Sequence, residues 1–216
     1  MTGAGNTTHW DSVYGAREEE ALTWFEDVPG LSLSLIRDLA RPEDPVIDIG
    51  GGASRLVDHL LGEGYRDITV LDLSETALDA SRGRLGDRAD RVGWIVGDVT
   101  QWRPDSAAYA LWHDRAAFHF LTEPDQRAAY VARMAAALRP GGHAIIMTFA
   151  EDGPERCSNL PVQRYSPDTL SAEVGRHAPG LFTAVQGARH MHPTPKGAVQ
   201  AFGVTVLRRG AQSSAD

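Results

Sequence analysis

The sequence predicts an α/β fold: a doubly wound, mostly parallel sheet of about seven strands with helices on both faces. Short apolar runs of strand length alternate with helix-length segments, which is the rhythm of βαβ units. At 216 residues, 42% hydrophobic and 23% charged, the chain is the size of one ordinary domain and apolar enough to bury a core. No internal repeat, low-complexity tract or linker divides it.

Taken in order, residues 18–28 (EEEALTWFEDV) space Ala21, Leu22, Phe25 and Val28 as a helix would, and residues 31–40 form a second helix after the Pro29-Gly30 break. The first strand is PVIDIG at 45–50. The helix at 53–64 that follows carries Leu56, Val57, Leu60 and Leu61 on one face until Gly62 and Gly64 stop it. The second unit repeats the plan, with a strand at 67–73, Ser74 as N-cap and a helix at 75–85. Strands follow at 91–99 and 108–114. Thr122-Glu123-Pro124-Asp125 reads as a capping box with proline near the first helical position, opening a helix that Arg139-Pro140-Gly141-Gly142 ends. A fifth strand is HAIIMTFA at 143–150, residues 151–165 read as an inserted loop, Ser166-Pro167-Asp168 starts a helix, and two last strands fit near 181–187 and 199–207. The first eight or so residues and the terminal AQSSAD read as loose.

Charge and cysteine content exclude several function classes. Lys+Arg number 21 against 29 Asp+Glu, a formal net charge of -8, so attraction to nucleic-acid backbones or to anionic membranes is not expected. The single Cys157 cannot form an internal disulfide, which suits a reducing compartment. The apolar runs fall short of the roughly 20 residues that span a bilayer, and no basic-then-apolar leader opens the chain. The expectation is a soluble cytoplasmic protein.

Chemistry concentrates at the strand ends. VIDIGGGAS puts Asp48 on the first strand and Gly50, Gly51 and Gly52 in the turn before a helix, where a ligand can approach the backbone. The second strand ends in Asp72, placed to accept hydrogen bonds from ribose hydroxyls, so the two together point to a nucleoside-containing cofactor at the carboxyl ends of the strands. A dinucleotide fingerprint counted from Gly50 needs glycine at position 55; the residue is Arg55, which disfavours an NAD-dependent oxidoreductase.

GGGAS after an acid, Asp72, Gly97-Asp98-Val99 and the turn LRPGGH form an ordered series over about residues 45–150 that resembles the class I S-adenosylmethionine-dependent methyltransferases. The resemblance implies a Rossmann-like sheet with an antiparallel final strand, N-terminal helices at 1–44 covering the cofactor cleft, and a methyltransferase domain at 45–210 within a single globular unit. It implies S-adenosyl-L-methionine as cofactor and S-adenosyl-L-homocysteine as product. Asp48, Gly50, Gly51 and Gly52 would border the methionine end, Asp72 with Leu73 the ribose, and Asp98 with the Val99 amide the adenine. His113 would line the methyl-transfer cleft. In the family's glycine loop the third glycine is Ser54 here.

The segment LWHDRAAFHFL looks like the corresponding part of thiopurine-type thiol methyltransferases and of a group of protein-lysine methyltransferases. His113, Asp114 and His119 are the candidate catalytic residues on that resemblance, and Trp10, Tyr14 and Trp24 the aromatics that cover the cofactor. Each has a bland alternative: Asp114 as a structural acid, the histidines as packed residues, the aromatics as core. The (Asp/Asn)-Pro-Pro-(Tyr/Phe) motif of enzymes that methylate amino groups of DNA or glutamine is missing. Asn159, Arg164 and Tyr165 of the 151–165 insert are candidate contacts to the acceptor. His190 and His192 have no acid or cysteine beside them in sequence, so no metal is expected, and Cys157 reads as an ordinary loop thiol. The implied activity is methyl transfer to N, S or O of a small-molecule acceptor, with a lysine of a basic protein substrate as runner-up and a non-catalytic module binding the cofactor or its product as the rival from another class. Oligomeric state is left open.

Overall fold

In the computed structural model, which describes residues 3–16 and 19–211, every predicted strand is present. After helices α1 (Gly3–Gly15) and α2 (Gly30–Leu39), strand β1 (Val46–Ile49) leads to α3 (Leu56–Gly62), and β2 (Ile68–Asp72) to α4 (Glu75–Leu85). Then come β3 (Val92–Val96), β4 (Tyr109–Arg115), α5 (Pro124–Ala137), β5 (Leu138–Phe149), the short β6 (Arg156–Cys157) and β7 (Leu160–Pro161), α6 (Pro167–His177), β8 (Phe182–Pro193) and β9 (Val199–Arg209). The main sheet has the order β3-β2-β1-β4-β5-β9-β8. β1 to β5 run parallel, and β9 is antiparallel to both of its neighbours, β5 and β8.

Burial explains the layers. All of β1 and β2 is buried, because helices cover both faces. On one face Leu33 and Ile36 of α2, Leu56 and Leu60 of α3, and Leu78 of α4 pack on Val46, Val70 and Leu111. On the other, Tyr130, Val131 and Met134 of α5 and Leu170 and Val174 of α6 pack on Ile47, Ile49, Trp112 and Ile146. The chain runs outward from β1 through β2 to β3, then returns to β4 on the other side of β1. The crevice at the carboxyl ends of β1 and β4 is therefore the switch point at which open α/β sheets bind ligands.

Caps behave largely as read. Ser74 Oγ accepts from the Ala77 amide at 3.2 Å, and Ser166 Oγ from that of Thr169, also at 3.2 Å. At α5 the cap sits one residue later than expected: Glu123 is the N-cap, its amide donates to Gln126 Oε1 at 3.3 Å, and Pro124 takes the first helical position.

Four expectations are corrected. The stretch near 18–28 makes only a 3-10 turn at Glu19–Ala21, because its side chains serve different partners: Leu22 goes into the core, Trp24 to the cavity described below, and Phe25 under the Arg55 guanidinium. Helix α1 instead begins at Gly3, within the segment read as loose, and Asp11 on it accepts from Ser74 Oγ at 2.6 Å. The 151–165 insert is not featureless: β6 and β7 make a hairpin whose turn residues Ser158 and Asn159 take left-handed φ of 47° and 64°. The last two strands are longer than read, since each pairs along its whole length with the other. Of the C-terminal AQSSAD, residues 212–216 lie outside the described residues. No helix among the described residues is long and apolar enough to cross a membrane.

The segment at 19–29 lies over the sheet's carboxyl edge and is held there by charge. Arg55, the residue that broke the dinucleotide fingerprint, donates to Asp27 at 2.8 Å and to Glu20 at 2.7 Å, while Arg84 pairs with Glu19 at 2.6 Å. Partly exposed pairs of this kind contribute only about 0–1 kcal/mol each. Arg55→Gln is therefore expected to leave the urea midpoint close to wild type while speeding protease cleavage within 19–29 several-fold; equal cleavage rates would show that these pairs do not hold the segment.

Candidate active site

The floor of the crevice is made by two turns that touch. Gly50, after β1, has φ +67°, and a Cβ there would lie 2.8 Å from Ala117 Cβ, so only glycine allows the loops to meet. Opposite it, the chain leaves β4 through Ala116, which is held at φ +74°. Asp114 holds that turn: its carboxylate accepts from the Ala117 amide at 2.8 Å, the Phe118 amide at 3.0 Å and the Tyr130 hydroxyl at 2.6 Å, and Trp112 Nε1 donates to that same hydroxyl at 2.8 Å. Burial raises the Asp114 pKa to about 6 against the pull of these donors.

A cavity of about 160 Å³ opens above this floor. At one end stand Asp72 and Leu73 from β2 and Gly97, Asp98 and Val99 from the end of β3. Asp72 is 7% exposed; Ser74's amide donates to its Oδ1 at 2.8 Å, and Gly52 (φ +43°) leaves room for both its carboxylate and the Tyr14 hydroxyl. Burial pushes its pKa up to about 7, opposed by the backbone donors of Ser74 and Gly52 and reinforced by nearby Asp48. Asp98 Oδ1 receives the Thr100 amide at 2.8 Å and hydroxyl at 2.7 Å, while its Oδ2 receives only the Gln101 side chain at 3.3 Å.

The other end is aromatic. Trp10 packs edge-on against Trp24 at 6.0 Å and against Phe120 at 5.0 Å, and Tyr14 against Trp24 at 6.1 Å, so the N-terminal segment roofs the cavity with rings. Phe149, Phe202, Leu160, Pro161, Cys157, Gln200 and Arg115 complete the wall. Arg115 also borders an adjoining cavity of about 50 Å³ that Asp48, Gly51 and His113 line.

These features carry the marks of a nucleoside-binding crevice, and comparison with known proteins decides which. Residues 46–142 match the family described as methyltransferase domain. The 1,6-didemethyltoxoflavin-N1-methyltransferase of Burkholderia thailandensis, solved with its substrate and S-adenosylhomocysteine bound, superposes with a TM-score of 0.70 at 25% identity, covering 97% of this chain and 91% of that one. Residues 46–142 thus match a methyltransferase domain, and nearly the whole chain is similar in fold to a methyltransferase that holds S-adenosylhomocysteine. A structure concerned with conversion of a disulfide bond into a thioacetal group during echinomycin biosynthesis shares the fold, with a TM-score of 0.77 at 21% identity over 97% of this chain and 95% of that one. Among curated relatives, the eEF1A lysine and N-terminal methyltransferase of Danio rerio is 25% identical over 147 residues, 67% of this chain. This chain spans about a fifth of that relative's length.

The residues read from sequence fall into three groups. Trp10, Tyr14, Gly50, Asp72, Leu73, Asp98 and Val99 line the main cavity, as does Trp24. Asp48, Gly51 and His113 border the smaller one, with Gly52 beneath the Tyr14 hydroxyl. Asp114 and His119, both fully buried, line neither. His113 Nδ1 bonds Asp48 Oδ1 at 2.7 Å and its Nε2 bonds Ser32 Oγ at 2.9 Å, so both ring nitrogens are engaged. Ser32, His113 and Asp48 are the residue types of a nucleophilic triad, but the serine is 1% exposed and lies within the packing of α2. His119 accepts from the Phe149 amide at 3.3 Å, and burial with the Arg115 charge lowers its pKa to about 3.

The insert reaches the cavity through other residues than those expected. Arg164 donates to the Gly153 carbonyl at 3.0 Å, Asn159 sits in the hairpin turn, and Tyr165 packs on Phe118; Cys157, Leu160 and Pro161 line the wall instead. Arg115 and Gln200 were not singled out from sequence. Only the position of Arg115 directly after His113-Asp114 could have suggested it. His192 bonds Glu26 at 3.1 Å and the Thr23 carbonyl at 3.0 Å, and no group of three metal-binding side chains occurs among the described residues.

Asp72 sets a pH dependence of stability. A carboxyl whose folded pKa lies above its unfolded value contributes stability on the acid side that is lost as pH rises through about 7. Asp72→Asn removes the cost of a buried charge, so without ligand it is expected to be at least as stable as wild type above pH 7, with the difference vanishing in acid; urea curves across pH check this, and a constant offset would refute it.

Proposed function

We propose that the chain transfers the methyl group of S-adenosylmethionine to a nucleophilic N, S or O atom of a small-molecule acceptor. The observation that carries this reading is the composition of the cavity beyond the floor: mostly rings and aliphatic side chains, with the Cys157 thiol, the Gln126 and Gln200 amides, the Thr122 hydroxyl and the Arg115 guanidinium, while the lining acids Asp72 and Asp98 stand at the ends of β2 and β3, across β1 from β4, β5 and β9. The bound small molecule of the Burkholderia thailandensis relative supports it, as does the near-equal coverage of both chains.

The residues fit the cofactor. The glycine floor, the Asp72 carboxylate beside Gly52, and Asp98 with Val99 at the end of β3 make a cradle that Cβ atoms at Gly50 and Gly52 would fill. In this reading Asp72 accepts from the ribose hydroxyls, Asp98 and the Val99 amide meet the adenine, and Asp48, Gly50 and Gly51 border the methionine end. Bound there, the cofactor supplies an electrophilic methyl on sulfonium sulfur, which departs as a neutral thioether. Residues 1–44 act as the cover, and Trp10, Tyr14 and Trp24 exclude water from the reacting atoms. The protein's contribution is alignment, worth roughly 7–11 kcal/mol where reactants are held in near-attack geometry. His113, Asp114 and His119 then serve as supports of the floor rather than as proton carriers.

The second reading is methylation of a protein lysine, favoured by the lysine methyltransferases among the curated relatives. A panel of thiols, phenols, heterocyclic N–H acids, amines and basic proteins, read by S-adenosylhomocysteine release, separates the two; turnover only with proteins would replace the first reading by the second. Binding of S-adenosylhomocysteine without turnover of any acceptor would favour a non-catalytic module.

Two outcomes are expected of variants. S-adenosylhomocysteine affinity rises with pH to about 7 and is flat above it, because ribose hydroxyls donate to the ionised Asp72. Asp72→Ala weakens that affinity by about 1.5–3 kcal/mol per lost bond, and unchanged calorimetric affinity would sink the ribose assignment. His119→Asn is expected to keep the shape of the kcat–pH profile; loss of an acid limb would restore His119 as a base.

A further inference from the structure

Among the described residues, Arg115 is the one cation that lines the main cavity. Arg115 stands at the carboxyl end of β4, its side chain 14% exposed, bordering both cavities. Its Nη1 donates to the Trp24 carbonyl at 2.9 Å, and its Nη2 meets Glu26 at 3.2 Å and His192 Nδ1 at 3.4 Å. Its Nε has no hydrogen-bond partner among the described residues, which leaves the guanidinium with donor capacity to spare. The plane lies over the Phe202 ring, 5.4 Å from its centre, and Phe120 and Phe149 also line the cavity.

The balance of charge around this group is uneven. Facing it are Glu26 from the cover, His190 and His192 from β8, Asp48 from β1, His119 from the turn after β4 and the Cys157 thiol from the hairpin. Asp48 is already bonded to His113 and Glu26 is shared with His192, while burial holds Cys157 up at about 11 and therefore neutral. An anion placed beside Arg115 gains a desolvated, charge-assisted partner; an ammonium placed there meets repulsion with no carboxylate lining the main cavity at that end to offset it.

We propose that Arg115 is the specificity-determining residue of the acceptor site, selecting small aromatic or heteroaromatic acids (thiols, phenols or enols, acidic ring N–H groups) in their ionised form. The inference rests on the small-molecule methyltransferase reading and narrows its substrate class. The acceptor X–H gives its proton to solvent on binding. The X⁻ lone pair forms the bond to the methyl carbon as the carbon–sulfur pair stays on sulfur, so X–CH₃, thioether and one proton balance the reactants. No enzyme base is required, in keeping with Asp114 and His119 lying outside both cavities.

The test uses 4-nitrophenol and 4-nitrothiophenol, whose neutral and ionised forms absorb at different wavelengths, titrated with protein saturated with S-adenosylhomocysteine. The expected result is that bound probe ionises at least about one pH unit below free probe, that Arg115→Gln abolishes the shift, that Arg115→Lys keeps part of it, and that benzylammonium fails to displace the probe. Glu26→Gln decides between charge and scaffolding: it frees the guanidinium and deepens the shift if Arg115 acts on the ligand. If Arg115 merely ties down the cover, Glu26→Gln and Arg115→Gln fall together and the proposal is overturned. It is equally overturned by a probe that stays unbound or unshifted on wild type, or by displacement with benzylammonium. Calorimetry of S-adenosylhomocysteine on the same sample separates the two levels, since failure to bind it overturns the methyltransferase reading itself. Should Arg115→Gln not fold, the Arg115→Lys and Glu26→Gln pair carries the same decision.

Discussion

A fully buried carboxylate organises the crevice. Asp114 collects two backbone amides and the Tyr130 hydroxyl, and in doing so holds Ala116 at a φ that an alanine rarely adopts. The turn that results brings Ala117 against Gly50, and those two loops are the floor on which everything else stands. The cost of burying the charge is visible in the upward shift of Asp114 to about 6, and it is met by donors from three places: the turn itself, α5 and, through Tyr130, the Trp112 indole.

Above the floor, arginines tie down the cover. Arg55, Arg84 and Arg115 each rise from the sheet side and pair with acids of the 19–29 segment, and His192 adds a fourth tie from β8. None of these pairs is worth much alone. Together they place a segment without regular helix so that Trp24 meets Trp10 and Tyr14 over the cavity. The ties of Arg55 to Glu20 and Asp27 are solvent-accessible, whereas those of Arg115 and His192 to Glu26 are largely buried, so the segment is anchored at Glu26 and free to move at its exposed pairs during exchange of ligand.

Polar groups along the crevice divide by end. Asp72 and Asp98 stand at the ends of β2 and β3, and burial raises the Asp72 pKa to about 7. Arg115, the one cation among the described lining residues, stands at the end of β4 near Phe120, Phe149 and Phe202. This asymmetry is the physical basis for reading one end as cofactor site and the other as a site for an acceptor that carries or develops negative charge.

How much of this was legible beforehand depended on range. Alternating apolar runs, the glycine turn, Ser74 and Ser166 as caps, and the acids at the ends of β2 and β3 are local signals, since each acts within one turn or one strand, and so the fold and the nucleoside end could be read from the chain alone. The partners of His113 and Asp114 could not. Strand register sets Asp48 beside His113 and Ile49 beside Asp114, and whether a histidine next to a cleft faces ligand or core is decided by pairings 65 residues apart. The 18–28 stretch has helical spacing, yet charge pairing with Arg55 and Arg84 and burial of Leu22 override a propensity worth only tenths of a kcal/mol per residue, on the order of about 0.7 at most. Local sequence determined which elements form and which glycines and acids stand at the strand ends; tertiary packing alone decided which other side chains face the cavity, because that depends on contacts between residues far apart in the chain.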